Sequence, residues 1–197
     1  MKKFFPALKY INVPNMITTL GLILVMLACY FIGEENLKSV FICLFFASCM
    51  DLLDGFFANK LNQKTVFGLH LDTLTDFFSC CILPIFVFLV FVGNSPLNIV
   101  ASSFYCVCGV WRLANYNIST GEKHNYFTGL PVPAAMSFVM LSLWLVINSV
   151  VPVWTSLIVL FVTGVLMISS IKLVKYALWQ KVLGIGAVVF IIIVIIS

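Results

Sequence analysis

Residues 51–76 read DLLDGFFANKLNQKTVFGLHLDTLTD. Two apolar segments carry the acids and a short polar turn, KLNQK (60–64), separates them. All four aspartates of the chain lie here, at 51, 54, 72 and 76, spaced by three within the first segment and by four within the second. These are helical spacings. At about 100° per residue, Asp51, Asp54, Gly55 and Ala58 share one face of a helix, and Gly68, Asp72 and Asp76 form a row on the next. A turn this short makes the two helices antiparallel neighbours, so that two carboxylates from each can meet.

The surroundings decide the class. The chain has 197 residues, of which 62% are hydrophobic and only 9% charged. That balance excludes a soluble domain and points to a polytopic membrane protein. Apolar runs long enough to span lie near 14–33, 38–59, 66–93, 96–117, 131–150, 153–171 and 179–197. The expectation is an all-α polytopic membrane bundle of seven candidate helices, forming a single domain over 1–197. The first run reads as an uncleaved helix, and the basic, aromatic MKKFFPALKYIN before it as an interfacial helix. With the N-terminus in the cytoplasm, ten of the eleven Lys and Arg residues fall on the cytoplasmic side and only Lys38 falls outside. The same orientation puts the 59–67 and 112–130 loops on the cytoplasmic side. The seven cysteines lie in apolar runs without metal-type spacing and read as small packing residues.

Four bare carboxylates inside a membrane repel one another and cost several kcal/mol each. Either some are protonated, as in a proton relay, or divalent cations bind them. Carboxylate oxygens suit Mg²⁺, Mn²⁺ or Ca²⁺, and four suffice for two ions sharing ligands, an arrangement used for phosphoryl transfer. Gly55, Ala58 and Gly68 leave room beside the acids for phosphates and a nucleotide. Small residues also serve helix–helix packing.

The pattern D-x2-D-G-x2-A-x9-G-x3-D-x3-D, formed by Asp51, Asp54, Gly55, Ala58, Gly68, Asp72 and Asp76, resembles the signature of the CDP-alcohol phosphotransferases. The resemblance implies a six-helix catalytic core, to which the seventh helix is an addition, in a homodimer with a two-metal site, holding Mg²⁺ or Mn²⁺, at the cytoplasmic membrane boundary. It also implies displacement of CMP from a CDP-linked lipid by an alcohol. Asp51, Asp54 and Asp72 would hold one ion and Asp51, Asp72 and Asp76 the other, with Asp76 also the general base. One position departs from the pattern. The family usually has Arg after the motif's Ala, where this chain has Asn59 followed by Lys60, and Asn offers no bidentate phosphate fork.

Three further stretches resemble the phosphatidylserine synthase branch: VPNMITTLGL (13–22), WRLANYNISTGEKHNYFTGLPVPAA (111–135) and GVLMISSIKL (164–173). The resemblance implies CDP-diacylglycerol and serine as substrates, with membrane lipid as the milieu and no nucleic-acid partner. Asn15 and Thr18 would face the nucleotide-phosphate site, joining Gly55, Ala58, Asn59, Lys60 and Gly68 in holding the CDP-lipid. Arg112 would take the serine carboxylate, with Lys123 second. Asn115 stands where this branch has a second Arg. Pro131 and Pro133 either shape the acceptor pocket or only start a helix.

Other candidates carry less. His70 lies about 200° from Asp72 around a helix and faces away from the acids. Ser48 and Ser79 read as backbone-bonded helix residues, Glu34 and Glu35 as a solvated turn on the far side. No Ser–His–Asp or Cys–His arrangement is present, which favours direct attack by the alcohol over a covalent intermediate. The alternatives are a sibling enzyme using glycerol phosphate, inositol, inositol phosphate or choline, and a cation or proton transporter using intramembrane acids. Transporters tend to show broken helices and internal symmetry, and the sequence shows neither.

Overall fold

The structure is a computed structural model that describes residues 6–119 and 126–174. Polar caps start its first helices. The Asn12 side chain accepts from the Asn15 amide at 2.9 Å and Pro14 sits in the first turn, opening α1 (Val13–Gly33). Asn36 accepts from the Ser39 amide at 3.1 Å and opens α2 (Leu37–Lys60). The KLNQK turn then bends through Asn62 at φ 52°, a conformation asparagine tolerates. Thr65 accepts from the Gly68 amide at 3.0 Å and opens α3 (Val66–Asp76).

The third membrane rod is not one uniform helix. A π-helical turn, Phe77–Ile82, follows α3, and α4 (Leu83–Phe91) completes the rod. Pro84 supplies the physical reason. It has no amide hydrogen for the Cys80 carbonyl four residues back, and its ring crowds that carbonyl. The Leu83 amide reaches to the Phe78 carbonyl, five residues back. α5 (Pro96–Ser119), α6 (Val132–Ile147) and α7 (Trp154–Ile168) follow.

The result is an all-α membrane bundle with six rods among the described residues. Val13–Gly33, Leu37–Lys60, Val66–Phe91 and Pro96–Ile118 are long and apolar enough to cross a membrane. α6 and α7, at 16 and 15 residues, are shorter than the runs 131–150 and 153–171 suggested. At their edges the chain turns instead, through Ser149 at φ 58° and before Trp154. Two short strands were not expected. β1 (Tyr126–Thr128) pairs antiparallel with β2 (Lys172–Val174), Phe127 opposite Leu173. Three-residue strands carry too little alternation to be read from sequence. The interfacial helix expected at the N-terminus is, where described, a five-residue 3-10 turn, Pro6–Tyr10. Tyr10 stacks on Phe67, ring centroids 4.6 Å apart. The expected seventh helix at 179–197 lies outside the described residues.

α1 packs along α2 through Val25, Ala28 and Ile32 against Val40, Leu44 and Ala47, positions spaced by three and four. α7 packs on α5 and α6. Buried hydroxyls bond back to their own helices, as Ser142 to the Val139 carbonyl at 2.7 Å and Thr163 to that of Val159 at 2.6 Å. Inside a bilayer such groups have no water to turn to. The outward faces carry apolar side chains such as Leu20, Ile23 and Leu27, the surface a lipid phase would cover.

Candidate functional site

α1 packs on both α2 and α3 more closely than those two helices pack on each other. The acids of α2 and α3 come together. One carboxylate oxygen each from Asp51, Asp72 and Asp76 lies within 4.8 Å of the other two. Asp54, one helical turn from Asp51, is buried and accepts a hydrogen bond from the Thr18 hydroxyl of α1. The acid pairs of α2 and α3 therefore meet as the helical spacing predicts, with α1 packed against both helices.

The four acids line a cavity of about 250 Å³. Asp51, Asp54 and Gly55 form one wall and Asp72 and Asp76 a second. Arg112, Leu113 and Tyr116 of α5 also line it, as do Pro131, Val132 and Pro133 at the start of α6. Arg112 is only 6% exposed, and its Nε has no hydrogen-bond partner. Its guanidinium lies 5.7 Å from the Tyr116 ring centroid, a cation–π contact. A buried donor with no partner, in a cavity wall, is costly unless a ligand accepts from it.

The donor set fits divalent cations. All four acids offer hard oxygen ligands to one cavity. Among the described residues no lysine, arginine or histidine forms an ion pair with any of them. Three oxygens already lie close enough to share an ion.

The residues expected to hold a CDP-lipid separate into two groups. Gly55 lines the cavity, and a Cβ built on it would meet nothing within 4 Å. Asn15, Thr18, Ala58, Asn59, Lys60 and Gly68 are not part of the cavity wall. Asn15 and Thr18, each 5% exposed, are turned into the protein. Thr18 holds Asp54, and the Asn15 amide donates to the Tyr10 carbonyl at 2.8 Å. A Cβ on Gly68 would stand 2.8 Å from Asn15 Oδ1, so Gly68 is the point where α3 approaches α1. Asn59 donates to the Gly55 carbonyl of its own helix at 2.8 Å, and the Lys60 ammonium lies over the Phe56 ring at 5.6 Å. Lys123 lies outside the described residues. His70 is exposed, and Ser48 bonds to the Leu44 carbonyl at 3.0 Å, as expected of both.

Sequence reasoning did not single out Tyr116 or the clasp between Thr73 and Asn117. The second joins α3 to α5 at 3.0–3.1 Å. Tyr116 could have been found, since it stands four residues after Arg112 and therefore on the same helical face. Thr73 and Asn117 are 44 residues apart, and only the tertiary fold brings them together.

A sequence model of the CDP-alcohol phosphatidyltransferase family matches residues 11–193. The chain is 30% identical over 176 residues to a CDP-diacylglycerol–serine O-phosphatidyltransferase of Methanocaldococcus jannaschii, covering 87% of this chain and 78% of that one. It is 30% identical over 185 residues to an archaetidylserine synthase of Methanothermobacter thermautotrophicus, covering 90% and 73%. A CDP-diacylglycerol–glycerol-3-phosphate 3-phosphatidyltransferase of Aquifex aeolicus is 51% identical over 65 residues, a local match spanning 33% of this chain and 36% of that relative. The protein belongs to the CDP-alcohol phosphatidyltransferases, a family of membrane transferases in phospholipid synthesis that generally depend on divalent metal ions.

Proposed function

We propose that this protein transfers the phosphatidyl group from CDP-diacylglycerol to L-serine, giving phosphatidylserine and CMP. The observation that carries the reading is one cavity lined both by the four carboxylates and by the buried Arg112, whose Nε has no hydrogen-bond partner. The acids are suited to the diphosphate end of the donor, and Arg112 to the carboxylate of an amino-acid acceptor. Two relatives whose names contain a serine or serine-lipid product align over most of the chain.

Asp51, Asp54, Asp72 and Asp76 would hold two divalent cations, Mg²⁺ or Mn²⁺. When bound, these neutralise charge on the diphosphate and on the departing CMP. The remaining roles belong to the chain itself. Arg112 orients serine through its carboxylate, with Tyr116 fixing the guanidinium plane. Asp76 accepts the proton of the serine hydroxyl. The serine oxygen bonds to the phosphorus that carries diacylglycerol as the bond from that phosphorus to the CMP oxygen breaks. Gly55 leaves space for the donor to lie against α2, and Lys123 is a second cation for the acceptor. The site opens to the cytoplasm on this reading, because the 59–67 and 112–130 loops are the positively charged side. The single domain over 1–197 rests on the run of apolar segments along the chain, and the homodimer on the family resemblance.

A glycerol-phosphate acceptor is the second reading, favoured by the local match to the Aquifex enzyme. A phosphate-bearing acceptor calls for several cations, and Arg112 is the one cationic side chain that lines the cavity among the described residues. The test is CMP release by purified protein given CDP-diacylglycerol and Mn²⁺, with serine, glycerol phosphate, inositol and choline offered in parallel. Serine should support release and a chelator should abolish it. Release with glycerol phosphate but not serine refutes the acceptor. Release with none, across Mg²⁺ and Mn²⁺, refutes the enzyme. Asp76→Asn should end turnover while CDP-lipid binding stays measurable.

A further inference from the structure

We propose that Tyr105 is a positioning residue for Asp76, acting through the π-helical turn that follows it. The argument begins with Pro84. In a regular helix the amide of residue 84 would donate to the carbonyl of Cys80, and proline has none to give. Leu83 does not compensate, because its amide goes to Phe78. Cys80 is 3% exposed, so neither Pro84 nor solvent serves its carbonyl. Tyr105 supplies a donor across the bundle. Its side chain is fully buried, and its hydroxyl donates to the Cys80 carbonyl at 2.9 Å.

This link sits where it can govern the site. The π-helical turn starts at Phe77, immediately after Asp76. Its width sets how α3, carrying Asp72 and Asp76, is rotated relative to α4, which is anchored in the core through Leu83, Val87 and Phe88. Such turns recur at functional sites because they re-aim neighbouring side chains. Tyr105 lies on the face of α5 that also carries Gly109 and Arg112, at steps of four and seven. Gly109 packs directly against the Cys81 sulfur in the same turn. One helix face therefore supports the turn behind Asp76 and carries Arg112 to the same cavity. With the hydroxyl in place, an Asp76 oxygen stays within 4.8 Å of Asp51 and Asp72. Without it, the turn loses the hydrogen bond that ties it to α5 and relaxes, and the carboxylate moves out of that arrangement.

The inference rests on Asp76 serving the site as proposed above, and its test has a readout that does not require turnover. Full-length wild type, Tyr105→Phe and Val40→Ala are compared in detergent. Val40 is a fully buried residue near the far end of α2 and lowers stability without touching the turn. Free Mn²⁺ is titrated by electron paramagnetic resonance in the absence of substrate. Tyr105→Phe should bind Mn²⁺ about tenfold more weakly, the low end of what loss of a supporting hydrogen bond costs a metal site. Its kcat should fall similarly, with KM for CDP-diacylglycerol within about twofold of wild type. Val40→Ala should lower the unfolding midpoint and keep the Mn²⁺ affinity. Where Tyr105→Phe does not fold, Pro84→Ala carries the test: the new amide competes for the Cys80 carbonyl, tightens the turn and weakens Mn²⁺ binding. Wild-type Mn²⁺ affinity in the folded Tyr105→Phe protein, or in Pro84→Ala where that stands in, overturns the proposal, as does an equal loss in Val40→Ala. A wild type that binds Mn²⁺ and releases no CMP with any alcohol refutes the proposed function, and the Mn²⁺ titration still decides the role of Tyr105. A wild type that binds no Mn²⁺ overturns both.

Discussion

Gly55→Ala separates a glycine kept for a ligand from one kept for packing. Gly55 lies inside α2, and a methyl group built on it meets nothing within 4 Å. In an open helical position alanine is favoured over glycine by about 1 kcal/mol, because the unfolded chain loses less freedom. The folded protein should thus gain up to about that much, and its unfolding midpoint in detergent should hold or rise. Gly55 also lines a cavity of about 250 Å³ shared with the four acids. A substrate lying against that backbone would meet the methyl, and overpacking in a fitted space costs about 1–3 kcal/mol. At about 1.4 kcal/mol per factor of ten, that is a fall of roughly fivefold to a hundredfold in kcat/KM for CDP-diacylglycerol. The assay is CMP release over a range of CDP-diacylglycerol at saturating serine, beside a thermal melt of the same preparation. A protein as stable as wild type with unchanged kcat/KM would remove Gly55 from the ligand space. A lower melting midpoint would show that the packing argument itself is mistaken.

Three further outcomes follow from the same geometry. Arg112→Lys keeps the charge and loses the planar fork, so KM for serine should rise about tenfold or more while KM for CDP-diacylglycerol holds; the opposite pattern would assign Arg112 to the donor. Thr18→Val removes the hydroxyl that donates to Asp54. Hydrogen bonds to charged groups contribute about 1.5–3 kcal/mol, and Mn²⁺ titration should show affinity reduced about tenfold, an unchanged titration counting against Thr18 as a support of the acid. Gly129→Ala forces a side chain onto φ 75° and against the carbonyls of Met167, Ser169 and Leu166. Backbone carbonyls cannot rotate away as side chains can, so the loss should be about 3 kcal/mol or more, read as a large drop in melting midpoint; a drop of a degree or two would contradict it.

Much of the site was legible because helical periodicity is a strong signal over short range. Asp51 and Asp54, or Asp72 and Asp76, need no tertiary information to be placed on one face, and the KLNQK turn is enough to bring the two faces together. Arg112 was legible as a cation at the end of a run that should return to the same side of the membrane. The two strands were not, because their pairing joins Tyr126–Thr128 to Lys172–Val174, with two helices between. The π-helical turn was half legible: Pro84 announces a lost hydrogen bond in the sequence, but only the fold shows that Tyr105 fills the vacancy.

α1 shows why the difference matters for function. The resemblance of the 13–22 stretch implies Asn15 and Thr18 as contacts of the nucleotide-phosphate site. In a membrane protein a polar side chain also serves to satisfy another buried polar group. Both residues have such partners in the structure. Thr18 satisfies Asp54, and Asn15 ties Tyr10 to the start of α1 while abutting Gly68. With α1 packed on both α2 and α3, the helix acts as a polar brace. It supports both of the helices whose acid oxygens meet at the cavity. A motif confined to α2 and α3 thus depends on a helix that carries none of its residues, and substitutions on α1 should alter the metal site before they alter substrate recognition.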